Sequence, residues 1–370
     1  MLPFKLVSAD SHVLEPPDMW LKRIDRRYLE RAPRIVHEAD ADYFVCASSE
    51  TPKVGIGTSS SAEKKPEEIS MAERWENVLP GGYDPFARVK DMERDGVEAE
   101  ILYTTFGLFL FAIDDLDLQF ACFQAFNDWV ANYCASSPGR LFGVAMIPTE
   151  PAERATAEME RCMRAGLKAA MISVSQDHGK GYDHPMYDRI WSASEDLRMP
   201  ISLHLAGSRR SFARTGNVLA DFALGFTPAM YSVALMVFSG VFDRHRRLKV
   251  VTVENDAGWA AMMLERMDFR YERDRFWAGP ANGISSGRLP SRQFHEHVYC
   301  TFMRDHTAVR NRAYIGLENL MWGSDYPHQD SSFPNSIRIV GEHFADVPVS
   351  DQCKIARSNA ISLYNLPLQP

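Results

Sequence analysis

The sequence predicts a (β/α)8 barrel, the TIM-barrel fold, from three observations. Eight short apolar segments follow one another along the 370 residues, and segments with helical spacing lie between most of them. Most of the apolar segments carry almost no polar residue, which is typical of strands buried on both faces of a parallel sheet. No glycine-rich phosphate loop follows the first segment, so a doubly wound sheet is the second choice.

The apolar segments are interpreted as strands in chain order: FKLVSA (4–9), VEAEILY (97–103), LFGVAMI (141–147), KAAMISV (168–174), PISLHL (200–205), LKVVTV (248–253), HVYCTF (297–302) and NLMWGS (319–324). Apolar residues at helical spacing predict helices at 115–136, 151–165, 185–197, 228–239, 256–272 and 306–315. The helix at 151–165 has clear boundaries, because Thr149 can cap it, Pro151 lies near its first turn and Gly166 ends it.

Residues 14–84 interrupt this alternation. They contain SSETPKVGIGTSSSAEKKPEE, which is rich in glycine, serine, proline and charge. We interpret 14–84 as an insertion after the first strand, a lid whose middle, 45–70, is mobile. A second excursion spans 273–296 and precedes the seventh strand. No linker divides the chain, so a single domain over 1–370 is predicted.

The composition is that of a soluble globular protein, with 45% hydrophobic and 24% charged residues and a net charge of −8. No block of lysine and arginine is present, which argues against a nucleic-acid partner. The sequence shows no signal-peptide pattern and no apolar run of membrane-spanning length, so no membrane association is predicted. The six cysteines are scattered without a CxxC pair, which favours reduced thiols in a cytoplasmic enzyme.

Polar residues at the carboxyl ends of the predicted strands mark the candidate active site, since a barrel carries its catalytic groups there. These residues are Asp10, His12, Tyr103, Thr104, Thr105, His204, Glu254, Asn255, Arg304, Asp305, Asp325 and His328. Asp10 and His12 are two positions apart and therefore point to the same side of a strand. Converging carboxylates and imidazoles are the ligands of a divalent transition metal that keeps a position open for water.

Three other motifs fail the same criterion. His295 and His297 form an HxH pair, but they come at or before the start of the seventh predicted strand and would lie at the opposite end of the barrel. His245 precedes the sixth strand and would lie at that end too. GISSG at 283–287 matches GxSxG without the strand–turn–helix context of a nucleophile elbow.

Each selected residue also has a purely structural interpretation. Asp10 could cap a turn, His12 could bond the proline-rich loop, His204 could be a satisfied core histidine, and Asp325 could be a turn residue before Pro327. Their joint occurrence at strand ends favours the metal site, because four structural explanations would otherwise have to coincide.

Four motifs carry a resemblance to a known family: SADSHVLEPPDMW, LHLAGS, LKVVTVENDAGW and LMWGSDYPH. Over roughly residues 5–365 the chain resembles the amidohydrolase-related family, in the branch that contains aminocarboxymuconate-semialdehyde decarboxylase. The resemblance implies a barrel that is often dimeric and holds one divalent metal, with zinc the first choice and iron or manganese the alternatives. It places the metal ligands at Asp10, His12, His204 and Asp325.

The chain departs from the family pattern at two strands. Strand 1 has Asp-Ser-His where HxH or ExH is common, and strand 6 has Glu254-Asn255 where the family's decarboxylases usually place a histidine. Glu254 could act as base or ligand, but a carboxylate does not replace an imidazole automatically. Hydrolysis is therefore expected ahead of decarboxylation.

The leading hypothesis is a metal-dependent hydrolase that uses activated water to cleave an amide, ester, lactone or thioester of a small substrate. Asp325 or Glu254 would accept the proton, and His328 would orient Asp325 or contact the substrate. The predicted substrate-binding residues are Arg304, Trp322, Tyr326 and Tyr103, with Arg209 and Arg210 as further candidates. The alternatives are nonoxidative decarboxylation of an aromatic or unsaturated carboxylate, and a barrel that binds without catalysis. The expected assembly is a homodimer.

Overall fold

Eight parallel strands form the barrel in this computed structural model, which describes residues 2–46, 53–175, 180–208, 215–279 and 283–370. The spatial order of the barrel strands is β1-β5-β6-β7-β8-β9-β10-β11, and β2-β3-β4 form a separate antiparallel sheet. The strands are β1 (Leu6–Val13), β2 (Arg34–His37), β3 (Asp42–Val45), β4 (Val54–Gly55), β5 (Val97–Thr104), β6 (Leu141–Met146), β7 (Ala169–Ile172), β8 (Ile201–His204), β9 (Val250–Val253), β10 (Val298–Phe302) and β11 (Leu320–Trp322).

Helices surround the barrel. They are α1 (Met19–Arg23), α2 (Pro85–Asp95), α3 (Leu116–Ala135), α4 (Ala152–Arg164), α5 (Asp188–Leu197), α6 (Val218–Ala223), α7 (Thr227–Phe238), α8 (Val241–Arg244), α9 (Gly258–Ala278), α10 (Pro290–His297), α11 (His306–Arg310), α12 (Arg312–Ile315), α13 (Ser336–His343), α14 (Val349–Cys353) and α15 (Asn359–Leu363).

The barrel closes where β11 meets β1. The Ser324 amide donates to Ser8 Oγ at 2.9 Å, and the Asp325 amide donates to the Asp10 carbonyl at 2.9 Å. Gly323 allows this approach, since a Cβ at that position would lie 2.5 Å from Asp10 Cβ. Closure satisfies the edge groups of both strands and fixes Asp10 next to Asp325.

The eight strands predicted from the sequence are confirmed, and so is the barrel. Each barrel strand is almost wholly buried, which explains the continuous apolar runs.

The predicted helix at 306–315 is two short helices, α11 and α12, and helix α2 was not predicted. The apolar pattern of α2 is weak, and the helix depends on its ends: Asp84 accepts from the amides of Phe86 and Ala87, and Gly96 ends it at φ 77°.

The segment 14–84 packs across the carboxyl end of the barrel. It contains α1, the small sheet β2-β3-β4 and several short 3-10 turns. The amides of Ser61 and Ala62 donate to the Pro327 carbonyl at 3.1 and 3.2 Å, which joins the segment to the chain after β11. Residues 47–52 of the predicted mobile stretch lie outside the described residues, while 53–70 form β4 and two of the 3-10 turns. A lid function for the segment stays a prediction.

One segment among the described residues, Val218–Phe238, is long and apolar enough to cross a membrane by length and composition, with a mean hydropathy of 1.5. It forms two helices, α6 and α7, with a turn between them at 224–226. Each helix is shorter than the roughly 20 residues that a spanning helix needs.

Candidate active site

Strand ends bring four predicted ligands to one point at the carboxyl end of the barrel. Asp10 and His12 lie on β1 and face the barrel axis together because they are two residues apart. His204 is the last residue of β8. Asp325 follows β11 and adopts φ 54°, a left-handed conformation that is uncommon outside glycine. Glu254, which follows β9, has φ 58°, and such strain is concentrated at functional sites.

The two imidazoles face each other through their Nε2 nitrogens. His12 Nδ1 lies 2.9 Å from the Thr104 carbonyl, and His204 Nδ1 lies 2.7 Å from the Leu205 carbonyl. Because a carbonyl only accepts, both Nδ1 atoms donate, so each ring carries a lone pair on Nε2 when it is neutral. Burial lowers the pKa of His204, but the Asp10 and Glu254 carboxylates outweigh burial and raise it overall. These Nε2 atoms are 3.2 Å apart. Two lone pairs at this separation repel each other, and a shared cation removes that repulsion.

Three carboxylates surround the imidazole pair. Asp10 Oδ1 lies 3.7 Å from both Nε2 atoms, and Glu254 Oε2 lies 3.7 Å from His12 Nε2 and 3.6 Å from His204 Nε2. Asp325 Oδ1 lies 3.3 Å from His12 Nε2. Asp10 Oδ1 and Asp325 Oδ1 are buried and accept no well-aligned hydrogen bond among the described residues. Buried oxygens without donors and facing imidazole lone pairs fit a divalent cation.

The electrostatics of the site follow from this crowding. Burial raises the pKa of Glu254 well above its ordinary value, and the neighbouring Asp325 raises it further. Burial and Asp10 likewise raise the pKa of Asp325, whereas burial lowers the pKa of His12 and brings that of His328 down to about 4. The protein alone therefore disfavours the fully ionised carboxylate cluster, and a positive charge at its centre would stabilise it.

Polar groups behind the ligands hold them in position. Thr301 Oγ1 donates to Asp10 Oδ2 at 3.2 Å and accepts from the Glu254 amide at 2.9 Å. His328 Nδ1 lies 3.1 Å from Asp325 Oδ1, and its Nε2 lies 2.9 Å from Thr105 Oγ1. The Thr301 hydrogen bonds fix the orientation of Asp10 and the backbone at Glu254, as supporting residues do around metal ligands. His328 packs against Asp325 without a well-aligned hydrogen bond to Oδ1.

A buried arginine anchors the backbone of two of these strands. Arg88 on α2 is fully buried and pairs with Glu100 on β5 at 2.5 Å. Its guanidinium also donates to the carbonyls of His12 at 2.6 Å and Tyr326 at 3.3 Å. One side chain thus ties the residue after Asp325 to a predicted metal ligand.

A cavity of about 180 Å³ opens onto Glu254, Asp325 and His328. One wall is apolar and consists of Leu108, Phe109, Leu205, Ala206 and Phe222. The other wall is polar and consists of Thr58, Ser59, Thr105, Gln329 and Asp330. Among the described residues, no lysine or arginine lines the cavity. Its volume is below the roughly 300–1,000 Å³ of sites for drug-sized ligands, and it suits a small substrate.

The amidohydrolase family model matches residues 80–366, which is more than half of the chain. The chain belongs to the amidohydrolase family. The resemblance seen in the four sequence motifs is therefore confirmed.

Known proteins similar to this chain include decarboxylases. It is 26% identical to the γ-resorcylate decarboxylase of Rhizobium sp. (strain MTP-10005) over 295 residues, which cover 75% of this chain and 86% of that one. Its fold matches an amidohydrolase from Mycobacterium avium subsp. paratuberculosis K-10 with a TM-score of 0.77 and 18% identity, over 98% of this chain and 100% of that one. A 5-carboxyvanillate decarboxylase from Novosphingobium aromaticivorans, solved with manganese and a nitrobenzoic acid, matches with a TM-score of 0.71 and 17% identity, over 98% and 97% of the two chains.

The predicted substrate-binding residues lie away from the cavity wall. Tyr103 is buried behind His204, with ring centroids 5.0 Å apart, and its hydroxyl lies 3.0 Å from Ser202 Oγ. Tyr326 donates to Asp91 Oδ2 at 2.5 Å. Trp322 is buried, and Arg304 is exposed. None of these four lines the cavity, and Arg209 and Arg210 lie outside the described residues.

The motifs that the sequence analysis rejected as site residues form polar contacts elsewhere in the fold. His297 Nδ1 lies 2.8 Å from the Leu248 carbonyl, and His295 Nε2 lies 3.0 Å from the Tyr314 carbonyl. His245 contacts Glu195 at 3.1 Å. The amides of Ser285 and Ser286 donate to Asp243.

Most residues of the cavity wall were not predicted from the sequence. Phe222 and Asp330 lie on connecting segments whose course no local pattern reveals, and Thr58 comes from the insertion. Arg88 looks like a surface charge on an amphipathic helix. The only sequence signal available for it is its place in α2 one turn after the capping Asp84.

Proposed function

We propose that this member of the amidohydrolase family is a metal-dependent, nonoxidative decarboxylase of a small aromatic or unsaturated carboxylate. Asp10, His12, His204 and Asp325 would hold the ion. When bound, a divalent ion supplies a fixed positive charge that holds the substrate carboxylate and a neighbouring oxygen. The donor set is richer in oxygen than a typical zinc site, and this favours manganese over zinc. Manganese in the 5-carboxyvanillate decarboxylase structure supports the same choice.

The observation that carries the proposal is the third carboxylate. The charges of Asp10 and Asp325 are sufficient to balance a divalent ion, so Glu254 is in excess. Its side chain is the most open of the three, at 15% exposure against 2% and 1%, and it lines the cavity. Burial and the neighbouring Asp325 raise the pKa of Glu254 in the metal-free protein, and we assign to Glu254 the role of proton donor to the substrate.

Decarboxylation requires that proton. In the proposed step the C–C bond to the carboxylate breaks, CO₂ leaves, and the electron pair of that bond accepts the proton of Glu254 at the same carbon. Glu254 then regains a proton from solvent. Leu108, Phe109, Leu205 and Phe222 pack against the apolar face of the substrate, and His328 holds Asp325 in place.

Hydrolysis of an amide, ester, lactone or thioester is the second candidate. It is favoured by the carboxylate at position 254, where the family resemblance leads one to expect a histidine in the decarboxylases. A hydrolytic base must be ionised before it can accept a proton from water, whereas burial raises the pKa of Glu254 and so disfavours its ionised form in the metal-free protein. The relatives at 26% identity are decarboxylases as well, and both points support the first proposal.

An assay of two products on one protein preparation tests the proposal. The protein is stripped with a chelator, reloaded with manganese or zinc, and incubated with hydroxybenzoates, unsaturated carboxylates, lactones and amides. We expect CO₂ release from a monocyclic carboxylate and no acid liberation from the lactones and amides. Acid liberation without CO₂ release would instead establish the hydrolase, and activity that survives complete metal removal would contradict both.

A further inference from the structure

A second pocket lies at the amino end of the barrel, opposite the candidate active site. It is formed where β8, β9 and β10 begin, and Pro200, Lys249 and Tyr299 come from those strand starts. Its volume of about 380 Å³ lies within the roughly 300–1,000 Å³ that is usual for small-molecule sites. Since the catalytic groups of a barrel lie at the carboxyl ends of its strands, this pocket is separate from the metal cluster.

Three cationic side chains line this amino-end pocket: Arg198, Arg247 and Lys249. Arg247 contacts Asp196 at 3.2 Å, and both side chains are largely exposed. Arg198 and Lys249 have no carboxylate at ion-pair distance among the described residues. The whole chain has a net charge of −8, so two unpaired cations in one pocket run against its overall charge.

The two carboxylates of the pocket have partners of their own. Glu195 Oε2 lies 3.1 Å from His245 Nδ1, and Glu195 Oε1 accepts from the Arg247 amide at 2.7 Å. Glu318 pairs with Lys354, which does not line the pocket. These carboxylates therefore do not neutralise the two unpaired cations.

Lys249 is partly buried, and its ammonium donates to the Glu296 carbonyl at 2.6 Å. The Glu296 carboxylate instead pairs with Arg288 and Arg292. Burial lowers the pKa of Lys249, because the ammonium loses water without gaining a carboxylate partner. An anion bound in the pocket would supply the missing charge.

Arg198 ends α5 in a left-handed conformation, with φ 51°. Glycine occupies the comparable place after three other helices: Gly96, Gly166 and Gly240 follow α2, α4 and α7 at φ 77°, 94° and 72°. Glycine is usual there because it has no Cβ to strain the turn. An arginine at this place strains the backbone and puts a guanidinium on the pocket wall, and such strain is concentrated at functional sites.

We propose that the amino-end pocket is a second ligand site, for an organic monoanion with a flat apolar body, of which an aromatic carboxylate is the simplest case. Arg198 and Lys249 would hold the carboxylate. Met199, Leu363 and the ring of Tyr299 offer an apolar wall, and Lys249 Nζ lies 5.9 Å from the centroid of that ring. Charge and apolar surface are therefore adjacent, which suits an anion that carries a ring better than a bare inorganic ion.

Equilibrium dialysis of para-fluorobenzoate against full-length, metal-loaded protein, followed by fluorine NMR, tests the site. The wild type is compared with Arg198→Gly, with Lys249→Met, with the double variant, and with the control Arg338→Gln. Arg338 pairs with Glu342 at 3.0 Å on α13 and does not line the pocket, so the control removes one cation elsewhere.

We expect the wild type and the control to bind one equivalent more than the double variant, and each single variant to bind about tenfold to a hundredfold more weakly at this site. Ligand at the metal cancels in this difference, because all four proteins share the same active site. The thermal midpoint of Arg198→Gly should not fall, since glycine relieves the strained turn. An arginine with a purely structural role would lower the midpoint when it is replaced.

Three results would overturn the proposal. The first is equal binding of para-fluorobenzoate by the wild type and the double variant. The second is equal affinity for the neutral para-fluorobenzamide, which would remove the role of charge. The third is inorganic phosphate that competes as strongly as benzoate, which would remove the role of the apolar body. None of these measurements uses turnover, so failure here is distinct from failure of the decarboxylase proposal.

Discussion

Replacing Arg88 with methionine tests how the barrel holds its metal ligands in place. The guanidinium is fully buried and donates to Glu100 Oε2 and to the carbonyls of His12, Gly81 and Tyr326. Methionine fills a similar volume but donates nothing. The substitution therefore leaves the Glu100 carboxylate buried without its cation, and it releases the backbone on either side of the site.

The expected cost follows from that contact set. Removing one partner of a buried ion pair typically lowers the free energy of unfolding by about 3–5 kcal/mol. The Tyr326 carbonyl keeps a donor in the His12 amide at 2.7 Å, so its loss adds little. The His12 carbonyl loses its 2.6 Å bond to Arg88, and this costs about 1 kcal/mol more. We expect a total loss of about 4–6 kcal/mol.

The double variant Arg88→Met/Glu100→Gln separates the orphaned charge from the lost anchoring. Glutamine removes the charge and can still accept from Ser11 Oγ, which lies 3.2 Å from Glu100 Oε1. We expect the double variant to regain roughly half of the lost stability. Metal affinity should stay reduced in both variants, because the His12 backbone has lost its anchor in both.

Urea unfolding and a competition assay for metal affinity measure the two effects independently. Arg312→Met is the matched control, since Arg312 pairs with Asp351 at 2.9 Å and is partly exposed, far from the metal site. It should lose at most about 1 kcal/mol and bind metal normally. A loss below about 1 kcal/mol in Arg88→Met, or unchanged metal affinity in both Arg88 variants, would refute the anchoring role.

Four further predictions address the site and its surroundings. Asp325→Asn should abolish turnover while the fold survives, as checked by steady-state kinetics and circular dichroism; an active variant contradicts the proposed mechanism. Glu254→Gln should lower turnover by a factor of about 10²–10⁴ with stoichiometric metal retained, measured by metal analysis of the purified protein, and loss of metal would make Glu254 a ligand instead. Chelation should lower the thermal midpoint, because an ion that binds only the folded state at a hundred times its Kd adds about 2.7 kcal/mol; an unchanged midpoint argues against the site. Asp95 has a pKa raised by burial from 3.8 to about 6, so the stability of the wild type relative to Asp95→Asn should fall by on the order of 2–3 kcal/mol as the pH rises from 4 to 7, followed by urea unfolding at each pH.

The strand-end criterion selected residues that lie together in the fold because it depends on a global property of that fold. In a parallel barrel every carboxyl end faces the same way, so Asp10, His204 and Asp325 meet although about 120 to 200 residues separate neighbours in that series. The same rule set aside His297 before any contact was known. Only the fold class was needed for this prediction, and the periodicity of the strands supplies the fold class.

The cavity wall did not follow from the sequence because loops obey no such rule. Phe222 reaches the cavity only through the packing of α6, and Asp330 only through the turn after β11. Tyr326 lies next to Asp325 in sequence, yet its side chain points away from the cavity and donates to Asp91, because the chain leaves the strand and turns at Asp325, where φ is 54°. Adjacency to Asp325 therefore did not place Tyr326 on the cavity wall, whereas spacing by two did place Asp10 and His12 on the same side of β1.

Asp10 and Glu254, the two residues that depart from the family pattern, both add negative charge to the site. With three carboxylates and a divalent ion the site carries a net charge of −1, and no cation lines the described part of the cavity. A carboxylate substrate would be repelled unless one acid is protonated. In the proposed mechanism Glu254 is that acid, since burial and Asp325 both raise its pKa in the metal-free protein. The proton that permits the anion to enter would then be the proton that its carbon needs when CO₂ leaves, so one residue would meet the demands of both binding and catalysis.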